Sequence, residues 1–165
     1  MSTWEQIYLG LGGNITNDLG DPASHIMAVA DTLCDNEHFC DVQLSSLYAS
    51  KPFGVVDQPD FINAVLSAKT DLSPLALLDV CQQLEKNAGR VKLRHWGERS
   101  LDVDVLFYGD QTIQNDRLTV PHAYLFERNF VLVPLAELNP CLTINGKKIA
   151  DELWANDLSG LTKLA

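Results

Sequence analysis

The chain has 165 residues, 46% of them hydrophobic, and a formal net charge of -10 at pH 7. This length is enough to bury an apolar core, and we expect a single domain over residues 1–165. The acidic balance argues against a nucleic-acid-binding protein that relies on a broad basic face. No segment approaches the roughly 18 apolar residues that span a bilayer, and the first residues do not resemble a signal peptide, so we expect a cytoplasmic protein.

The first half of the chain alternates apolar runs with one amphipathic segment. Residues 6–11 predict a strand, followed by glycines in a loop that needs positive φ. Asp21, followed by proline, predicts the start of a helix, because apolar residues then recur at helical spacing. Residues 39–48 and 61–70 predict two further strands joined by a loop.

The second half begins with another helix signal. Ser73, followed by proline, predicts a helix with one apolar face, and a basic loop over residues 90–100 follows it. Residues 101–108 have the composition of a buried strand. Residues 111–140 predict a short hairpin element, a loop, a short helix and an apolar tail strand. Residues 145–165 have helical spacing and are interpreted as a packing segment.

The order of the principal elements is strand, helix, strand, strand, helix, strand. This order is typical of an α+β ferredoxin-like sandwich, in which helices pack on one face of an antiparallel sheet. Because many functions use this fold, the residues of the site must decide the function.

Two aspartates, Asp102 and Asp104, interrupt the apolar strand over residues 101–108. Because side chains alternate along a strand, both carboxylates lie on one face, with Cα atoms about 7 Å apart. Carboxylate oxygens at that spacing can converge on a pair of Mg²⁺ ions. The alternative is an ordinary strand with one polar face, since antiparallel sheets commonly alternate in this way.

Positive charge is concentrated just before these aspartates. Five of the twelve Lys and Arg residues fall within fourteen positions: Lys86, Arg90, Lys92, Arg94 and Arg99. Arginine binds phosphate oxygens well, so the cations and a metal together predict a polyphosphate clamp, whereas a solvated basic loop is the alternative. The sequence has no GxxxxGK[ST] motif, and GLGGNIT breaks the GxGxxG spacing, so a nucleotide must be held in another way.

Five stretches of the sequence resemble one enzyme family, in the order of that family. They are YLGLGGN (8–14), SSLYASKPFGVVDQPDFINAV (45–65), LEKNAGRVKLRHWGERSLDVDVLFYG (84–109), RLTVPH (117–122) and RNFVLVPLAELNP (128–140). The family is 6-hydroxymethyl-7,8-dihydropterin pyrophosphokinase, which transfers diphosphate from ATP to a pterin alcohol and releases AMP. The resemblance implies a Mg²⁺-dependent enzyme of folate biosynthesis with ATP as co-substrate. We expect a monomer with no nucleic-acid or membrane partner.

The resemblance also implies roles for individual residues. Asp102 and Asp104 would bind two Mg²⁺ ions that bridge the phosphates of ATP. Arg90 and Arg99 would reach the phosphates during transfer. The residues placed on the nucleotide side are Gln82, Glu85, Lys92, Trp96, Arg117, Thr119, His122 and Arg128. The residues placed around the pterin are Ser50, Phe53, Phe61, Asn63, Trp96 and Phe130.

Three other functions are alternatives to this interpretation. A nucleotide-binding regulatory module of ferredoxin-like fold would bind ATP but form no AMP. A metal-dependent phosphohydrolase would release phosphate without a pterin. An RNA-binding module is disfavoured by the net charge and by the missing aromatic pattern of RNA-recognition strands.

Overall fold

The computed structural model describes residues 4–51, 59–89, 99–122, 128–144, 146–152 and 155–164. The strands among them are β1 (Glu5–Gly13), β2 (Phe39–Leu44), β3 (Tyr48–Ser50), β4 (Phe61–Thr70), β5 (Asp102–Tyr108), β6 (Ile113–Gln114), β7 (Thr119–Val120), β8 (Thr143–Ile144), β9 (Lys147–Lys148) and β10 (Leu161–Lys163). The α-helices are α1 (Pro22–Cys34), α2 (Pro74–Asn87) and α3 (Asn129–Leu138), and a 3-10 turn covers Ile149–Asp151.

Six strands form one antiparallel sheet in the order β10-β3-β4-β1-β5, with β2 also paired to β4. Strand β1 pairs with β4 along its whole length. On its other side β1 pairs with β5, which places Gly10 opposite Asp104 and Gly12 opposite Asp102. The predicted α+β sandwich, an antiparallel sheet with helices packed against it, is confirmed.

Both predicted helix starts are confirmed by capping hydrogen bonds. The Asp21 carboxylate accepts from the amide of Ser24 at 2.7 Å, and the Ser73 hydroxyl accepts from the amide of Ala76 at 3.2 Å. In each case proline is the first helical residue. The two capping hydrogen bonds satisfy backbone amides that the first turn of each helix would otherwise leave unpaired.

Helices cover both faces of the sheet, where the sequence predicted only one face. The cluster on the first face joins α1 and α2 to the sheet through residues that include Ile7, Leu9, Ile26, Leu33, Leu77 and Leu84. The cluster on the second face joins α3 to the sheet through residues that include Tyr8, Val65, Leu106, Phe107, Leu132 and Leu135. The prediction of an apolar tail strand was wrong, because that segment forms α3. A short apolar run is compatible with either a buried helix or a buried strand.

Two other elements differ from the predictions. The strand predicted over residues 39–48 is divided into β2 and β3. At the break, the Ser45 hydroxyl accepts from the amide of Val65 at 2.9 Å, so a side chain replaces the usual backbone acceptor. The helical spacing of residues 145–165 gives a 3-10 turn and β10 instead of a helix. Ile149 is fully buried there, whereas Leu158 is 62% exposed.

Glu137, near the end of α3, joins this helix to the segment that leads into β3. Its carboxylate accepts hydrogen bonds from the amide and hydroxyl of Ser46, at 2.8 and 3.0 Å, and from the hydroxyl of Tyr48 at 2.5 Å. Burial opposes the ionisation of Glu137, but these hydrogen bonds outweigh it and lower the pKa of the carboxyl. The charged form of Glu137 is therefore stabilised by the fold.

We expect Glu137→Gln to lower the free energy of unfolding near neutral pH by about 2 kcal/mol, since an amide has one acceptor oxygen instead of two. Because the pKa of Glu137 is lower in the folded chain, this stabilisation is present above the ordinary carboxyl pKa and is lost as the pH falls through the folded value. Urea denaturation of both proteins at about pH 7 and about pH 3 would measure the difference. A difference that stays the same at both pH values would contradict the interpretation.

Candidate active site

A cleft opens on the α3 face of the sheet, beside the beginning of β5. It brings together nine residues that the sequence predicted: Ser50, Phe61, Asn63, Arg99, Asp102, Asp104, His122, Arg128 and Phe130. They come from β3, β4, β5, α3 and the segments before or after these elements. The fold therefore gathers these nine residues from four of the five motifs into one place.

Two glycines of β1, Gly10 and Gly12, line the cleft without side chains and so leave room for the side chains of neighbouring strands. A Cβ atom at Gly12 would lie 2.8 Å from Oδ1 of Asn63, and one at Gly10 would lie 3.3 Å from a methyl group of Leu106. The sequence placed Gly12 in a loop with positive φ, but β1 extends to Gly13 and neither Gly12 nor Gly13 has positive φ. Glycines that alternate with leucines were the available signal, because they indicate a strand with one bare face.

Asp102 is paired with Arg99 at the edge of the cleft. The guanidinium of Arg99 donates to the Asp102 carboxylate, and these side chains are only 19% and 18% exposed. The guanidinium carbon of Arg99 also lies 5.5 Å from the centre of the Phe61 ring. Arg99 therefore links the carboxylate to the aromatic part of the cleft.

Asp104 lies between groups of both charges. Burial raises its pKa to about 7, with a further contribution from the carboxylates of Asp102 and Glu85, and against the opposing effect of Arg128 and Arg99. A cation bound beside Asp104 would oppose this shift and stabilise the charged carboxylate.

The carboxylate pair fits a hard divalent cation that is shared with a polyphosphate. Within the described ranges, no group of three or more His, Cys, Asp or Glu side chains is placed to hold a metal ion. Asp102 and Asp104 would therefore supply only part of a coordination shell. Mg²⁺ is usually bound in this way, through one or two carboxylates, water and substrate phosphates.

The aromatic side of the cleft contains a buried amide. Asn63 donates a hydrogen bond from Nδ2 to Oγ of Ser50 at 2.6 Å, and both residues are buried. Phe61 lies two residues earlier on the same face of β4. Phe130 lies in the first turn of α3, and the guanidinium carbon of Arg128 is 5.6 Å from the centre of its ring.

A second cavity adjoins the cleft along β5. It is lined by Arg117 and Thr119 and shares Asp104 and His122 with the cleft. The imidazole Nε2 of His122 lies 4.0 Å from the Asp104 carboxylate. Burial and the nearby Arg128 guanidinium lower the pKa of His122, so its ring is neutral near pH 7.

Three predicted residues, Gln82, Glu85 and Arg117, form hydrogen bonds next to this cavity. Arg117 donates to the carboxylate of Asp79 at 2.6 Å and also contacts the side-chain oxygen of Gln82. Glu85 accepts a hydrogen bond from the amide of Val103 at 2.8 Å, within the strand that carries both aspartates. The predicted residues Phe53, Arg90, Lys92 and Trp96 lie outside the described residues.

Asn14, which was not predicted as a site residue, holds the backbone next to the cleft. Its side chain is buried, donates to the carbonyl of Pro59 at 3.0 Å and accepts from the amide of Arg99 at 2.9 Å. The backbone amide of Asn14 donates to the carbonyl of Arg99 at 2.9 Å. The available signal was an asparagine at the end of a strand, where its side chain can replace backbone partners.

Comparison with known proteins decides the family. Residues 8–140 match the family model of 7,8-dihydro-6-hydroxymethylpterin-pyrophosphokinase. The chain belongs to this family. It is 45% identical over 146 residues to the 2-amino-4-hydroxy-6-hydroxymethyldihydropteridine pyrophosphokinase of Haemophilus influenzae, covering 88% of this chain and 89% of that protein. It is 39% identical over 161 residues to the pyrophosphokinase of the same name from Pseudomonas aeruginosa, covering 97% of each.

The fold of this chain is also found in solved structures. The crystal structure of Plasmodium falciparum HPPK-DHPS with SDX-DHP matches 94% of the chain with a TM-score of 0.69 and 16% identity. The wild-type structure with pterin and p-hydroxybenzoate matches 93% with a TM-score of 0.66 and 16% identity. The chain spans 46% and 42% of the lengths of those two solved chains. At these identities the likeness supports the fold alone.

Proposed function

We propose that the chain transfers diphosphate from ATP to 6-hydroxymethyl-7,8-dihydropterin, giving the pterin diphosphate and AMP in folate biosynthesis. Membership of the pyrophosphokinase family supports this activity. The observation that carries the proposal for this chain is the position of Asp104, which lines both the aromatic cleft and the adjoining cavity. A group at that position can contact two substrates at the point where they react.

The cleft has the chemistry to hold the pterin. Phe61 and Phe130 offer aromatic faces to a flat bicyclic ring, as the family resemblance implies. Asn63 would pair with the polar edge of the ring, because an amide both donates and accepts hydrogen bonds. Its bond to Ser50 holds the side chain in place before the substrate arrives.

The adjoining cavity would hold the nucleotide, with Arg117 and Thr119 in its wall. Asp102 and Asp104 would bind Mg²⁺ on the phosphates. The bound metal would neutralise phosphate charge and hold the phosphates in position for attack. Arg128 would add positive charge from the α3 side of the cleft.

The reaction is an in-line displacement at phosphorus. The hydroxymethyl oxygen of the pterin attacks the β-phosphorus of ATP, and the bond from that phosphorus to the oxygen shared with the α-phosphate breaks. AMP leaves with that oxygen, and the alcohol proton is released. The residues of the cleft contribute by holding both substrates in line and by neutralising charge with Arg99 and Arg128.

We further propose a domain organisation, a location and a set of partners for the protein. Residues 1–165 act as a single pyrophosphokinase domain, with residues 145–165 as a C-terminal packing segment. The protein is a cytoplasmic monomer whose partners are the two small-molecule substrates, and nucleic acid is not among them. A net charge of -10 supports the last statement. No helix in the part of the chain that the structure describes is long and apolar enough to span a membrane.

The test is AMP formation from ATP and Mg²⁺ in the presence and absence of 6-hydroxymethyl-7,8-dihydropterin. We expect AMP only when the pterin is present, and none when EDTA removes the metal. ATP binding without AMP would favour a regulatory module instead. Release of phosphate without pterin would favour a phosphohydrolase.

A further inference from the structure

The described C-terminal residues 157–164, here called the C-terminal strap, include the outer strand β10 next to the cleft. Its strand β10 pairs antiparallel with β3, with Leu161 opposite Ser50. On its other side β3 pairs with β4, where Ser50 lies opposite Phe61. The amide of Leu164 adds a bond to the carbonyl of Leu47 at 2.8 Å. The strap therefore supports the strand that presents Ser50 to Asn63, although it lies beyond the family match at residues 8–140.

The strap is also attached to α3, on the other side of the aromatic cleft. Asn129 donates from Nδ2 to the carbonyl of Asp157 at 2.9 Å and to the carbonyl of Ser159 at 3.0 Å. The Asp157 carboxylate accepts from the amide of Ser159 at 2.9 Å, which shapes the turn that carries both carbonyls. The two protons of the Asn129 amide group are thus both used by the strap.

Asn129 is the first residue of α3, between Arg128 and Phe130. The helix begins without a side-chain capping bond. The side-chain bonds of Asn129 therefore anchor a helix start that has no side-chain cap. Because Phe130 is the adjacent residue, its placement depends on that anchor.

We propose that Asn129 is a positioning residue for the pterin, acting through the C-terminal strap. The strap is bonded on one side to β3, which holds Ser50, and on the other side to the start of α3, which holds Phe130. It thereby sets the position of the aromatic face relative to the amide that would read the edge of the ring. This inference rests on the proposed function, because Ser50 and Phe130 are assigned to the pterin side.

The test compares Asn129→Ala with a matched control, Asn156→Ala. Asn156 also donates from Nδ2 to two backbone carbonyls, those of Ala150 and Glu152, at 2.8 and 3.0 Å. Both variants thus remove two bonds of the same kind in the same region, and only Asn129 adjoins a cleft residue.

We expect Asn129→Ala to raise the pterin KM about tenfold and to change the ATP KM less than about twofold, the size expected from two lost hydrogen bonds. Asn156→Ala should change neither KM.

A conservative variant distinguishes the hydrogen bonds from simple packing. Asn129→Asp keeps the size of the side chain but removes both donors, so it should behave like Asn129→Ala. Equal pterin KM values for the Asn129→Ala and Asn156→Ala variants would overturn the proposal. It would also be overturned if the ATP KM of Asn129→Ala rose as much as the pterin KM.

Hydrogen exchange of the protein without substrates gives a readout that does not depend on transfer. The amides of Val131 and Leu132 bond to the carbonyl of Arg128, at 3.1 and 3.0 Å, in the first turn of α3. We expect these amides and those of β3 to exchange faster in Asn129→Ala than in Asn156→Ala. Unchanged exchange would overturn the role of Asn129. Failure of the wild type to form AMP, with the exchange difference present, would instead reject the proposed function.

Discussion

Asp104→Asn is expected to reduce AMP formation by about a thousandfold, because it removes a carboxylate that we propose as a metal ligand where phosphate charge must be neutralised. The two side chains have nearly the same shape, so packing is preserved. In the protein without metal, burial and the carboxylates of Asp102 and Glu85 raise the pKa of Asp104. The ionised form is thus unfavourable in the fold, and the substitution should leave the melting temperature unchanged or higher at a pH above 7.

The measurement is AMP release at saturating ATP, Mg²⁺ and pterin, together with thermal denaturation in EDTA. Asp110→Asn is the matched control, since it makes the same change of charge at an exposed residue in the turn after β5. The control should keep full activity. Loss of less than about tenfold in Asp104→Asn, with Mg²⁺ still required, would show that this carboxylate is not essential for binding the metal. A marked fall in melting temperature would contradict the electrostatic argument.

Phe130→Ala is expected to weaken pterin binding by about a hundredfold, because it removes one aromatic face from the ring site. The affinity for ATP should change little, since Phe130 lines the cleft and not the cavity that contains Arg117. Titration with the pterin in the presence of a non-hydrolysable ATP analogue, and separate titration with ATP, would measure the two affinities.

Two further variants at this position separate stacking from the filling of space. Phe130→Tyr keeps the flat face and should bind the pterin within about threefold of the wild type. Phe130→Leu keeps apolar volume without a flat face and should lose most of the affinity. Full affinity in Phe130→Leu would mean that the ring only fills space, and an equal loss of ATP affinity would mean that the substitution disturbs the whole site.

The sequence predicted the elements whose signals are local. The helix starts at Asp21 and Ser73 were predicted because the capping side chain and its partner lie within three residues. The strand over residues 61–70 was predicted from its own run of apolar and small residues. The shared face of Asp102 and Asp104 follows from alternation along a strand, which is also local. The family motifs added the identity of the residues that line the cleft.

Only the tertiary structure decided where the apolar residues of α3 would pack. Leu132 and Leu135 could have formed a strand, but the second face of the sheet presents Tyr8 and Val65, and a helix covers them. The choice depends on surface contributed by distant strands, which no short window of sequence contains. The division of residues 39–48 has a similar cause, since the acceptor at the break belongs to Ser45 and its donor to β4.

The sequence by itself thus determined the family, the antiparallel sandwich and most of the residues in the cleft. The tertiary structure alone decided two other features. The missing side chains of Gly10 and Gly12 leave room in the cleft, and the side-chain amides of Asn14 and Asn129 hold neighbouring backbone segments. A missing Cβ atom matters only where another side chain packs against the glycine. A side-chain amide holds only groups that lie within hydrogen-bond distance. For these residues the neighbours come from elements that are far apart in the chain. Strand register and the return of the C-terminal strap bring them together.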